Sequence, residues 1–582
     1  MKKYFTLLLA STFVLTTQAT ERVVTNNEEV TETPGETEGS LSYWIENAED
    51  GDVIVFDESL SGATIKFSAG VTLMKTLTID ASALSLPIVF DGQKTTEFFQ
   101  LSDYDNRHSN DQTNTFKNII FINGFTDKAD RAAGVNVFSK RSYFINCQFI
   151  DNVSTDAGTG RQPGAIRNSN SQSFMYITDC VFKGNETARK GGAIAIDAPT
   201  TYIDRCLFDS NKAGDSGAVI DTKSGTPGGE NTAPVLDIRN TTFVNNTCNY
   251  PAKKNDGIVI FNGQDKDDYP LPIRLINCTF VGNENLAHSD VSTVYSMKFN
   301  IEVTGCVFGG NKFLKDETMQ YANDVRVGAT PGKIISYGYN ITYSMKDVSE
   351  QESNVPYHQT DEYYKEWTMA PLFERTVNEE GVLAPNLEEE DLWKKMKVIP
   401  IGHLADVLGD NPKDQTGAVR SSKLGYIGAY EYPSFVVEVT DDEFGANITE
   451  GTHLFKAGEE VELINASDDF SWWLINGDKQ EDNPYTFIVE QDSEIEVRYG
   501  EIIDGIANQN SETAISLNGD LLSVKGFQGG DVKVYSVNGV VELTNKLLQN
   551  EATIELNTLS QGVHIIVATD ANGNVETRKI VK

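Results

Sequence analysis

Basic residues are scarce in this chain. Forty-eight Lys and Arg stand against 85 Asp and Glu, a formal net charge of −37. So acidic a surface repels phosphate backbones, which argues against nucleic acid as a partner and fits a well-solvated surface protein. Long apolar runs are missing too: beyond the N-terminus no stretch reaches about 18 apolar residues, so the mature chain is not expected to cross a membrane through a helix. Proline occurs only 17 times and the aromatic share is 10%, which excludes wholesale disorder. Cysteine occurs six times and never as Cys-x-x-Cys, so a zinc ribbon and a redox pair are excluded. There is no paired-Asp hydrolase motif, and no cofactor is expected.

What the chain does contain is one short pattern that returns six times between Phe144 and Phe313. It reads Ile145-Asn-Cys-Gln-Phe149-Ile-Asp-Asn152, Thr178-Asp-Cys-Val-Phe182-Lys-Gly-Asn185, Asp204-Arg-Cys-Leu-Phe208-Asp-Ser-Asn211, Arg239-Asn-Thr-Thr-Phe243-Val-Asn-Asn246, Ile276-Asn-Cys-Thr-Phe280-Val-Gly-Asn283 and Thr304-Gly-Cys-Val-Phe308-Gly-Gly-Asn311. The spacings between successive Phe residues are 33, 26, 35, 37 and 28, the period of a stacked array. Apolar pairs such as Met175/Ile177, Leu236/Ile238, Ile273/Leu275 and Ile301/Val303 precede each Phe and lie at period two, on one face of a strand. From there to the Cys the step is odd, so parity breaks and a corner is required. Asn146, Asp179, Arg205, Asn240, Asn277 and Gly305 stand at that corner, mostly types that tolerate a left-handed conformation. A second corner is placed at the Asn that ends each pattern, and a third strand opens at Gly164-Ala-Ile166, Gly191-Gly-Ala-Ile194 and Gly217-Ala-Val219. Strand, bend, strand, bend, strand, with no helical period, is one coil of a parallel β-helix rising about 4.8 Å per turn.

The alternation of Phe-x-x-Asn with Gly-Gly-Ala-Ile resembles the repeats of chlamydial polymorphic outer-membrane proteins and of right-handed β-helix surface proteins of Bacteroidetes, over roughly Phe116 to Phe313. Asn323-Asp-Val325, Gly338-Tyr-Asn-Ile341, Asp414-Gln-Thr-Gly-Ala-Val-Arg420 and Tyr426-Ile-Gly-Ala-Tyr-Glu431 resemble, in order, the closing part of "choice-of-anchor" β-helix domains. The fold implied is all-β: a right-handed parallel β-helix of the pectin-lyase-like kind, followed by two small β-sandwich-like domains.

In chain order, Lys2-Lys3, the apolar run Tyr4 to Leu15 and Thr17-Gln-Ala19 read as a secretory signal peptide over residues 1–19, cleaved before Thr20. No Cys follows that run, so a lipoprotein anchor is not expected. Residues 20–38 are acidic and Thr-rich and read as a flexible leader. Residues 39–345 form a cap and the β-helix, the cap being a short helix with Leu41, Trp44, Ile45 and Ala48 on one face and Ser40 at its N-cap. Residues 346–434 close the helix, with Glu388 to Val398 as a covering helix or insertion. A small β module follows at 435–500, with Trp472-Trp473 and an Asn476-Gly477 hairpin turn. Its pattern resembles the bacterial repeats of internalin-type surface proteins, and its Trp pair serves either as core or as a sugar platform. After a linker at 501–514, residues 515–582 alternate in short strands. They resemble the C-terminal sorting domain of the type IX secretion system, which implies that machinery as a partner and export across the outer membrane. His564 stands where that family has an aromatic residue, and a surface position is expected for it.

Five cysteines, Cys147, Cys180, Cys206, Cys278 and Cys306, share the position two before Phe149, Phe182, Phe208, Phe280 and Phe308; in the coil of Phe243 that position is Thr241. They read as a structural ladder of buried thiols, with Cys248 outside it in a turn. Chemistry is thinner. Arg161, Arg167, Lys190, Asp197 and Asp221 fall near the third strand of successive coils and are the catalytic candidates if the scaffold carries a polysaccharide lyase, but their offsets do not require them to face one side. Asp265, Asp267 and Asp268 offer oxygen ligands for Ca2+ without EF-hand spacing; a solvated acidic loop is the plainer reading. The sequence therefore favours a non-enzymatic adhesin or glycan-binding scaffold, with a polysaccharide or host surface ligand as partner.

Overall fold

Each repeat makes one circuit of four strands. The circuit that begins at Arg141 runs through Arg141–Ile145, Gln148–Ile150, Val153–Ser154 and Ile166–Asn168. Each strand pairs in parallel with its counterpart one circuit on, in Phe174–Thr178, Val181–Lys183, Glu186–Thr187 and Ile194–Ile196. Repeated from Val53 to Lys346, with Glu21–Val24 added to the first sheet and Glu362–Tyr363 to the second, this builds sheets of 11, 11, 8 and 10 strands, called sheets 1 to 4 in the order the chain visits them. That is the order expected of a parallel β-helix, and the ten strands of sheet 4 count ten coils. In this computed structural model the described residues are 19–346, apart from positions within the loops 33–36, 157–160, 198, 224–227, 250–255, 264–269 and 289–290; isolated stretches between 359 and 429; and 434–581, apart from positions within 442–445, 500–513, 519–520, 537–539, 558–562 and 572–574. The expected signal peptide lies outside them up to residue 18.

The parity break is a left-handed corner, as its residues require. Asn146, Asp179, Arg205, Asn240, Asn277 and Gly305 all have positive φ, between 43° and 61°. Arg205 carries no intrinsic preference for that conformation, but its guanidinium pairs twice with Asp179 of the preceding coil, at 2.7 and 2.9 Å. A second left-handed residue, Asp151, Gly184, Ser210, Asn245, Gly282 or Gly310, sits just before each terminal Asn. It turns the chain into a strand of two to five residues that the three-strand expectation lacks, so the coil has four segments.

Inside, like stacks on like. Phe121, Phe149, Phe182, Phe208, Phe243, Phe280 and Phe308 form one column with centroids 4.6–4.9 Å apart and planes within 13°. The five ladder cysteines are buried and outside any disulfide, as is Cys248, which faces inward from the strand Thr247–Cys248 and is 1% exposed. This corrects the turn expected for Cys248: the short strand of sheet 3 places it. The terminal asparagines make a second column. Asn152, Asn185, Asn211, Asn246 and Asn283 each donate from Nδ2 to the Oδ1 of the next, at 2.8–3.0 Å. The other Nδ2 hydrogen goes to a Phe carbonyl of the preceding coil and the Oδ1 also accepts a backbone N–H, as Asn246 does with Phe208 and Asn211, both at 2.9 Å. All four valences of a buried amide are thereby used.

The ends differ from expectation. Glu21–Val24, expected to be a flexible leader, pairs in parallel with Val53–Phe56, and Val24 and Val30 are fully buried. The open edge of the first coil needs a partner, and Val23-Val24 within an acidic segment supplies one. Arg22 fastens it to Asp52 at 2.7 Å. The cap helix Leu41–Asn47 forms, with Ser40 Oγ accepting from Tyr43 N. At the other end sheet 4 stops at Met345–Lys346, Glu362–Tyr363 adds one more parallel strand to sheet 2 beside Ile341–Thr342, and part of the closing region returns along the side of the coils: Ala429 N donates to Thr279 Oγ1 at 3.0 Å and Gly428 N to Gly305 O at 2.9 Å. Of the covering element expected at 388–398, the described residues include only Val398, which opens the short strand Val398–Pro400.

A second compact unit holds most residues beyond Val436. In it Phe470–Ile475 and Asp478–Gln480 form the expected hairpin, with Asn476 and Gly477 at φ 50° and 88°. Trp473 is 1% exposed with Nε1 on Asp482 O, whereas Trp472 is half-buried with Lys479 Nζ 4.4 Å above its ring, so the pair divides between core and surface. Residues 514–581 form three- and four-stranded antiparallel sheets around a shared core of Leu522, Val532, Val534 and Ile566. His564 belongs there too, 1% exposed and 2.7 Å from Glu542, which corrects its expected surface position. Among the described residues no helix is long and apolar enough to cross a membrane.

Candidate functional site

Sheet 4 turns alternate residues outward, and its central outward row runs Asn136, Arg167, Ala195, Asp221, Phe261, Tyr295, Arg326. The catalytic candidates meet over this row. Arg161, from the loop entering the strand of Arg167, reaches forward two coils: its Nη1 donates to Ile196 O at 3.1 Å, its Nη2 to Thr222 O at 2.9 Å, and its Nε lies 3.0 Å from Asp221 Oδ2. Ala195 stands between Arg167 and Asp221 in the row, and so small a side chain leaves room for the crossing arm. Asp197, one step past its strand, lies 3.6 Å from Arg167 and 3.9 Å from Arg161. Lys190 Nζ sits 4.1 Å over the ring of Phe261. The offsets of Asp197 and Asp221, which left their directions open in the sequence, are thus reconciled by a long side chain that meets one at a strand end and the other mid-strand.

The cluster is closed. The Asp221 side chain is fully buried, Arg167 is 5% exposed and Arg161 12%. Burial pushes Asp221 above the ordinary carboxylate range, with the charges of Arg161 and Lys190 opposing, and pushes Arg161 below its ordinary value, with Asp221 and Asp197 opposing. A guanidinium so paired remains charged, so Arg161 is a clamp and not a base. Asp256, on the same side, is lifted by burial to about 6 against the charge of Lys190.

The residues that sequence reasoning passed over lie on sheet 1. Tyr143, Tyr176 and Tyr202 stack in its central outward row at 4.7 and 5.1 Å with planes within 9°. Arg141 lies beside them over Phe174, 5.8 Å from its centroid. The signal was available, since each Tyr stands six before a ladder Phe, but an aromatic between two apolar inward residues reads as part of an apolar run. The row continues through Asp237, Arg274 and Glu302, where Arg274 pairs with Glu302 at 2.9 Å beside a hollow of about 270 Å3. A larger groove of about 600 Å3 lies along the corner between sheets 2 and 3.

Asp265, Asp267 and Asp268, the Ca2+ candidates, lie outside the described residues. Among those described, no group of three or more His, Cys, Asp and Glu side chains is placed to hold a metal ion. No family model, curated protein or solved structure matches the chain, so geometry alone carries its functional reading.

Proposed function

We propose that this protein is a secreted, cell-surface right-handed parallel β-helix that acts as a non-enzymatic, glycan-binding adhesive scaffold, sent out by its signal peptide and by a C-terminal type IX sorting domain. The right hand follows from the general rule for parallel crossovers. The observation that carries the binding role is the outward column Tyr143–Tyr176–Tyr202, half-buried on a regular face. Stacked rings cover one another's faces and present their edges and hydroxyls at one per coil, a repeat suited to an extended polysaccharide lying along the axis. Each ring is an amphipathic, low-entropy contact of the kind enriched in binding surfaces. Titration of the purified protein with a polysaccharide panel tests this. Tyr176→Ser should weaken the bound polysaccharide about tenfold, the loss expected for about 1.4 kcal/mol at one contact. Failure of every polysaccharide to bind would sink the reading.

A second reading, a polysaccharide lyase or hydrolase of the pectin-lyase-like fold, is favoured by the gathering of Arg161, Arg167, Lys190, Asp197 and Asp221 on one face. Incubation with anionic polysaccharides separates the two: rising ultraviolet absorbance from unsaturated products, lost in Lys190→Ala, would establish the lyase.

A further inference from the structure

The groove along the corner of sheets 2 and 3 crosses five successive coils, from Lys94 to Lys212, a span of about 19 Å at the rise of stacked strands. Its lining follows from the repeat. Phe125, Val153, Glu186 and Lys212 occupy one register row of sheet 3, each against the next. Beside them run the left-handed corner residues Asp151, Gly184 and Ser210. Gly184 keeps this strip open. At φ 65° it adopts a conformation that other residues resist, and a Cβ there would stand 2.3 Å from Asp151 Oδ1.

The chemistry of the lining selects among ligands. Phe125 and Val153 give one end an apolar floor, and Phe125 is partly exposed. The rest is studded with both signs of charge: Lys94, Lys183 and Lys212 against Asp151 and Glu186, with Asp209 only 3.4 Å from Lys183. An anionic chain would find the three ammoniums set among Asp151, Glu186 and Asp209, the last paired with Lys183, and on a protein of net charge −37 it gains no attraction. An apolar ligand would strip water from five charged groups. Sugar hydroxyls suit the groove, since each both donates to a carboxylate and accepts from an ammonium, and the apolar face of a pyranose lies on an aromatic ring. At about 600 Å3 the groove is within the size of small-ligand sites.

We propose that this groove is a binding site for a short neutral oligosaccharide, with Phe125 as the platform for a sugar ring and with Lys183, Glu186 and Lys212 as hydroxyl ligands. The inference rests on the glycan-binding reading and places a second contact away from the tyrosine column. The test is calorimetric titration of the full chain with cellotriose, maltotriose and mannotriose, with trigalacturonate as the anionic comparison. The variants are Phe125→Ser and the solvent-facing pair Lys183→Ala with Lys212→Ala. At least one neutral trisaccharide should bind, tenfold or more weakly in either groove variant, with trigalacturonate weaker throughout. The paired lysine variant decides the matter if Phe125→Ser does not fold. Tighter binding of trigalacturonate, no binding of any neutral trisaccharide, or binding unaffected by both groove variants would overturn the proposal. If long polysaccharides still bind in those cases, the scaffold reading survives without this site; if they do not, both fall.

Discussion

Asn246 and Asn283, 37 residues apart in the chain, are joined by a hydrogen bond of 2.9 Å from the side-chain amide of the first to the side-chain oxygen of the second. The same bond recurs from coil to coil, alongside the phenylalanine column that fills the interior. From the coil of Asn152 to that of Asn311, neighbouring coils are therefore held together by buried contacts of two kinds, one apolar and one polar.

Truncating one ring should tell on more than its own coil. Phe208→Ala is expected to cost about 3–5 kcal/mol, and because an array's stability is a sum over neighbours, hydrogen exchange should quicken in the flanking coils as well. Unchanged thermal unfolding of the β-helix would contradict the stacking described.

The thiols should be silent until the fold is lost. With all six cysteines buried and none in a disulfide, the native protein should react negligibly with a thiol reagent and the denatured protein should titrate as six thiols. Burial, and then the neighbouring Cys147 and Cys206 thiols, push Cys180 well above its ordinary value, so no reactive thiolate forms near neutrality. Rapid native labelling at Cys248 would place that residue at the surface, against its inward position.

Asp324, at the end of the asparagine column, should make the last coils sensitive to pH. Burial lifts its carboxyl from 3.8 to about 7, against hydrogen bonds from Tyr343 N, Thr342 Oγ1 and Ser344 N. Between those values the folded state keeps a proton that the unfolded state releases, so this group's contribution is complete below 3.8 and is lost as the pH rises towards about 7. Melting curves of wild type and Asp324→Asn, compared at about pH 5 and about pH 8, should show the wild type losing more stability at the higher pH. A difference of the opposite sign would refute it.

Arg161 and Asp221 should behave as a structural pair. Either Arg161→Ala or Asp221→Ala leaves a buried charge alone and should cost about 3–5 kcal/mol, while Arg161→Met combined with Asp221→Leu should restore much of the loss. Equal, additive losses in the double variant would show that the two residues do not act on one another.

Deletion of 515–582 removes both antiparallel sheets together and so leaves no half-built core. Under the sorting proposal the truncated protein should accumulate in the periplasm with its signal peptide cleaved. Surface display at the wild-type level, read by cell fractionation, would sink that proposal.

The stacking was legible in the sequence because like residues recur at one position. Phe at the column, Cys beside it and Asn, Asp or Gly at the first corner each carry a steric reason to repeat, and the positive φ of Asn146 through Gly305 bears that out. Sequence alone marked each terminal Asn only as a corner, since nothing in one repeat shows that its amide bonds to the next. Arg161 was harder still: it acts on Asp221 60 residues later through a loop of irregular length, and no periodicity predicts where such an arm lands. Val23-Val24 was hidden by the charge around it, and His564 by the expectation that a polar residue faces water.

The like-on-like columns also bear on how such a protein changes length. Because Phe meets Phe and Asn meets Asn at each junction between the coils of Asn152 and Asn311, a duplicated coil slotted into the middle finds on both sides the partners it had before, while the end pieces, the strand Glu21–Val24 and Asp324 among them, are made for one place. Tandem copying of some thirty residues then lengthens the rod by one strand spacing with no new interface to invent. The reach of the proposed binding faces becomes something a lineage adjusts by unequal recombination, independently of the substitutions that tune their chemistry.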